Sequence, residues 1–292
     1  MRWTAGGDSS DVEDRRGESG GGGFNLGGGG GGFGGIHLGI GGTLVVLVLS
    51  FIFRTNLFSV LGGGGGTASP AVDSRPVNDD AAEKREKDFV TFVLNDVQQT
   101  WEKKLPQSNV PYRHTKLVLF RDYTESGCGT AQSATGPFYC PPDEKVYIDL
   151  GFFQELADKF GAPGEFAQAY VIAHEIGHHV QKLLGTESKV RRLQRGDPGQ
   201  QNPLSVKLEL QADCYAGVWG HETEQRKIVD DSDVAAGLKA AASVGDDRLQ
   251  RMSTGHVSPE SFTHGSSAQR MDWFRRGLQG GDISACNTFG DQ

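Results

Sequence analysis

From Pro163 to Gly185, apolar residues recur at helical spacing through Phe166, Tyr170, Ile172, Ala173, Ile176, Val180 and Leu183. Pro163 suits the first turn of such a helix and Gly185 its end. Between Gln168 and Gln181 the only charged residue is Glu175, and it stands between His174 and His178. A helix this apolar is buried, and a buried His-Glu-His group needs partners. Residues four apart share a helix face, so two imidazoles can meet one ion. His-Glu-x-x-His is the pattern with which a helix binds zinc, the histidines as ligands and the glutamate next to a metal-bound water. The fold must therefore close apolar layers around this helix yet leave one face within reach of solvent.

A catalytic zinc needs a third protein ligand and an open position. The extended pattern with a later glycine and a third histidine fails, because Gln181 and Leu184 occupy those places. The best candidate is Glu209, in the run Leu208-Glu209-Leu210-Gln211-Ala212-Asp213. Glu209 and Asp213 share a face of a second apolar helix, which continues through Tyr215 and Val218. Asp213 would hydrogen-bond the outer nitrogen of a zinc histidine and fix its tautomer. Asp213, His221 and His264 compete for the third-ligand role. His264 lies in a Phe-Thr-His-Gly turn before a capped helix, and is the candidate for stabilising an oxyanion. Tyr215 is a second candidate.

The rest of the chain divides by composition. Glycine fills twelve of the sixteen positions from Gly20 to Gly35 and returns as a run from Gly62 to Gly66. Such stretches bury little apolar surface and read as flexible. The predicted organisation is a Gly-rich disordered tail over 1–35, a transmembrane helix over 36–61, a flexible linker over 62–79 and a folded domain over 80–292. In that domain a helix begins near Asp80 and buries Phe89, Val93, Val97 and Trp101. Strands are expected at Lys116–Arg121 and Lys145–Leu150, the second as a sheet edge that could pair with an extended peptide. Gly127–Pro142 reads as a loop and Thr186–Gln201 as a polar linker. Further helices are expected over 203–221 and 232–244. Ser266 with Gln269 forms a capping box ahead of a last helix. The fold class is α+β, mostly helical with a small sheet.

Ile36 to Phe53 contains no Asp, Glu, Lys or Arg. With its flanks it is long enough to cross a hydrocarbon core of about 30 Å. Cys128, Cys140, Cys214 and Cys286 all follow it, and an even count on one side fits disulfides in an oxidising compartment. Cys128 with Cys140 closes a short loop, which leaves Cys214 with Cys286; three pairings are possible in principle. The expected topology is a single pass at the cell membrane with the domain on the extracytoplasmic side. The net charge is −8. With no basic stripe or aromatic-basic cluster, nothing suggests a nucleic-acid partner.

Four stretches carry a resemblance: Gly136–Phe153 (GPFYCPPDEKVYIDLGFF), Ala169–Gln181 (AYVIAHEIGHHVQ), Glu209–Trp219 (ELQADCYAGVW) and Phe262–Gly277 (FTHGSSAQRMDWFRRG), with CNTF closing at Cys286–Phe289. Together they resemble the neutral zinc metallopeptidase family of bacterial membrane-anchored proteins. The resemblance implies a zincin-like metallopeptidase domain of the glutamate-ligand kind, whose E-x-x-x-D pattern falls on Glu209 and Asp213. The expectation is a zinc metalloendopeptidase: His174, His178 and Glu209 hold Zn2+, Glu175 is the general base, His264 the oxyanion donor, and a protein or peptide the substrate. The alternative is a membrane-tethered zinc-containing binding or scaffold protein whose metal site is closed by a fourth protein ligand.

Overall fold

The computed structural model describes residues 1–5, 7, 9–18 and 81–290. The expected span at 36–61, its linker and the Gly20–Gly35 run lie outside the described residues. Among the described residues no helix is long and apolar enough to cross a membrane.

In chain order the elements are β1 (Val12–Asp14), α1 (Ala81–Lys104), β2 (Lys116–Phe120), β3 (Tyr123–Ser126), β4 (Gly129–Gln132), β5 (Phe138–Cys140), β6 (Lys145–Asp149), α2 (Gly151–Asp158), α3 (Glu165–Leu183), α4 (Thr186–Gly196), α5 (Gln201–Gln225), α6 (Asp231–Ser243), α7 (Asp246–Thr254) and α8 (Ser267–Gly280). Mostly helical α+β is thus correct. One sheet has the order β1-β2-β6-β5, parallel except for β5, and β3 with β4 forms a separate hairpin.

The core forms where α1, α3 and α5 meet the sheet. Phe89, Val93, Val97 and Trp101 of α1 are all buried, as their spacing requires. α3 is buried along almost its whole length, from Phe166 to Gln181. Phe166 stacks on Trp219 of α5, and Tyr170 meets Phe274 of α8 edge-on. The Ser266–Gln269 capping box is present at the start of α8. Both favoured disulfides are present. Cys128–Cys140 ties the hairpin to β5, and Cys214–Cys286 ties α5 to the C-terminal turn.

Two glycines set the spacing of α5 and α8. A Cβ at Gly217 would sit 2.1 Å from the Phe274 carbonyl oxygen, and one at Gly277 would sit 2.0 Å from that of Cys214. Both obstacles are backbone, so neither can yield without parting the helices. Gly277→Ala is expected to cost about 3 kcal/mol in urea unfolding, an overpacking penalty. Gly280→Ala, with nothing within 4 Å of its Cβ, is the control and should stay within about 0.5 kcal/mol of wild type.

Four expectations need correction. The tail predicted over 1–35 is not uniformly disordered, because Val12–Asp14 pairs with Leu117–Leu119 as the outer strand of the sheet. β6 is not an edge: β2 lies on one side of it and β5 on the other, so β5 is the edge beside the candidate site. Thr186–Gln201 is not a linker but α4 and a short turn, with Val190 and Gln194 facing inward and Arg191 paired to Glu187 one turn away. The Gly127–Pro142 loop contains the β3–β4 hairpin's second strand as well as β5.

Candidate metal centre

α3 and α5 cross at Gly177, where a Cβ would lie 3.1 Å from the Ala212 carbonyl oxygen. That close approach places the next turn of α5 opposite His174 and His178. One nitrogen from each imidazole and one Glu209 carboxylate oxygen all lie within 4.8 Å of one another. His174 Nε2 is 3.2 Å from Glu209 Oε2, and His178 Nε2 is 3.5 Å from Oε1.

The other ring nitrogens are already taken. His174 Nδ1 is 2.8 Å from Asp213 Oδ1, and His178 Nδ1 is 2.8 Å from Gln181 Oε1. A carboxylate and an amide oxygen only accept, so in each neutral ring Nδ1 carries the proton and Nε2 keeps its lone pair. Both lone pairs then face the same carboxylate. Two imidazoles and one carboxylate, with each tautomer fixed from outside, match the donor set of a catalytic zinc. The residues fit the metal.

The electrostatics favour a cation. Burial alone would raise Glu209, but His178, His264 and His174 overcome it and hold its carboxyl well below the usual range. Burial likewise opposes ionisation of Asp213, and Arg270 and His174 outweigh it. His174 is pulled down by burial and up more strongly by Asp213 and Glu209, to about 10. His174 therefore holds a proton when no other cation is supplied, and metal binding should release it. Glu175 is 8 % exposed and is not part of the three-residue ligand group. Burial raises its carboxyl above the ordinary value, against the opposing effect of His174 and His178.

Of the competitors for third ligand, Asp213 is bound to His174 through the outer nitrogen, and His221 gives its Nδ1 to the Leu278 carbonyl, 2.8 Å away. Tyr215 does not join the cluster. It is buried edge-on against Trp101 of α1. His264 lies outside the three-residue ligand group but near it, since Glu209 raises it against the effect of burial.

Sequence reasoning missed three supporting residues. Arg270 of α8 is buried and donates from Nε and Nη2 to Asp213 at 2.8 and 2.9 Å. Tyr170 donates its hydroxyl to the same carboxylate. Asp246, at the start of α7, accepts the backbone N–H groups of Thr263, His264 and Gly265 with one oxygen, while its other lies 3.3 Å from His264 Nδ1. A signal existed for Arg270, which shares a face with Phe274 and Leu278. An arginine on an apolar stripe implies a buried partner. None existed for Asp246, which reads as an ordinary first-turn acid.

A helix-borne His-Glu-x-x-His pair facing a glutamate from a second helix is the donor arrangement of the zinc-peptidase class. The chain belongs to the family described as "Putative neutral zinc metallopeptidase", whose model matches residues 1–289. It is 46 % identical over 296 residues to the uncharacterized protein YpfJ of Escherichia coli K12, covering 99 % of both chains. It is 44 % identical over 211 residues to the uncharacterized protein Rv2575 of Mycobacterium tuberculosis H37Rv, covering 68 % of this chain and 69 % of the relative. No solved structure matches it.

Proposed function

We propose that the chain is a zinc-dependent metalloendopeptidase acting on proteins or peptides. One observation carries the reading: the His174 and His178 Nε2 atoms converge on the Glu209 carboxylate, while Glu175, on the same helix, is not part of the group. That arrangement separates three candidate ligands from one free base. Zinc bound there would polarise the scissile carbonyl and bring the pKa of water near 7.

The chain's own residues supply the remaining chemistry. Glu175, raised by burial, takes the proton of the attacking water and passes it to the leaving amine. His264 donates to the oxyanion. Its loop is held by the three amides on Asp246, so its orientation is set before substrate arrives. Among the described residues β5 has β6 on one side only, and its Tyr139 hydroxyl lies 2.9 Å from His179 Nδ1 on the metal-site helix. This edge, rather than β6, is suited to aligning an extended substrate by strand addition. Two disulfides support a domain that folds in an oxidising compartment outside the cytoplasm.

The test is casein hydrolysis by the purified protein. Activity should disappear with 1,10-phenanthroline and return with zinc; hydrolysis indifferent to chelation would exclude the reading. His264→Ala should lower kcat by about 10²–10³ while KM and zinc content stay near wild type.

A further inference from the structure

The N-terminal residues are fastened to the domain across more than sixty residues of intervening sequence. Val12, Glu13 and Asp14 stand in parallel register with Leu117, Val118 and Leu119. The Leu117 N–H donates to the Asp11 carbonyl at 2.7 Å, and the Arg15 N–H to that of Leu119 at 2.7 Å. Side chains reinforce the strand. Lys145 reaches Glu13 at 2.9 Å, Lys87 reaches Asp14 at 2.9 Å, and Gln98 donates to Asp11 at 3.0 Å. Arg16 is 5 % exposed and pairs with both Asp14 and Glu83. Trp3 packs edge-on against Phe89 of α1, with ring centroids 5.3 Å apart. The family match spans residues 1–289 and so includes this segment.

This packing bears on membrane topology. A single crossing by the apolar stretch Ile36–Leu61 would put residues 1–18 and 81–290 on opposite sides of the bilayer. A backbone ladder cannot form through it. We propose instead that residues 1–18 and 81–290 occupy the same compartment, the oxidising one, and that the chain meets the membrane from one face only. Two complete helical crossings need about 40 apolar residues, and Ile36–Leu61 is only 26 residues long, Arg54 among them. Its length thus leaves no room for a return crossing. The Arg16–Glu83 contact at 3.1 Å agrees, since it brings the two flanks of the stretch to one patch of the domain. Two of the three cations before the stretch are held in ion pairs, Arg15 with Glu13 and Arg16 with Asp14 and Glu83, which gives them a role other than retention in the cytoplasm. None of this rests on the peptidase reading.

The experiment labels the full chain in spheroplasts with a membrane-impermeant maleimide, using two single-cysteine variants at exposed positions, Glu18→Cys and Thr254→Cys. Labelling after detergent lysis sets full reactivity for each. The proposal expects both cysteines to react fully before lysis; protection of both until lysis would place them in the reducing compartment and overturn it. If one reacts fully in spheroplasts and the other only after lysis, the chain crosses once and the proposal fails. The result is independent of zinc and of hydrolysis.

Discussion

Glu175→Gln is expected to lower kcat for peptide hydrolysis by about 10³ or more while leaving zinc content unchanged. The size follows from the role. General-base catalysis contributes about 10²–10⁴, and the same carboxyl also returns the proton to the leaving amine. The preserved zinc follows from the geometry, since the converging nitrogens and carboxylate belong to His174, His178 and Glu209 and not to Glu175. Glutamine keeps the size and polarity of the side chain, so the fold should be unaffected. Glu209→Gln should behave oppositely, losing zinc as well as activity. Metal analysis beside single-turnover kinetics distinguishes the two. If Glu175→Gln loses zinc, or retains wild-type hydrolysis in a clean preparation, the division between base and ligands is wrong.

Arg270→Met is expected to cost about 3 kcal/mol of stability, because it leaves the fully buried Asp213 carboxylate without its guanidinium. The double variant Asp213→Asn with Arg270→Met removes both charges and should recover most of that loss. Its zinc affinity should nevertheless remain about 10–100-fold weaker, since His174 Nδ1 then faces a neutral amide in place of a carboxylate. Urea unfolding and competition with a chromogenic chelator read the two effects separately. Recovery of both stability and zinc affinity would mean that the pair only fills space. No loss in Arg270→Met would mean that the ion pair is not buried.

The sequence revealed the parts of this protein that repeat locally. The apolar stripe of α3 and the capping box of α8 are both visible over a few turns, and the structure contains both. Glu209 and Asp213 were legible for the same reason, being four apart on an apolar helix. The disulfide pairs followed from loop length. What stayed hidden depends on contacts distant in sequence. β1 is only Val-Glu-Asp, with no alternation to mark a strand, and it forms because Lys145, Lys87 and Leu117–Leu119 lie waiting for it. α4 has only Val190 and Gln194 facing inward, too narrow a stripe to stand out. β6 has the alternating look of an edge strand, yet its place in the sheet depends on β2 and β5. The Asp246–His264 arrangement joins a helix start to a loop 18 residues later, a separation that no helical or strand period anticipates.

The central claim is that three side chains hold zinc and leave a position open for chemistry. X-ray absorption at the zinc edge, on the purified wild-type protein, tests it most directly. The account predicts a shell of two imidazoles and one carboxylate completed by solvent oxygen, with no sulfur, and the loss of that zinc in Glu209→Gln. A third imidazole or any thiolate in the shell, closing it with protein ligands, would contradict it.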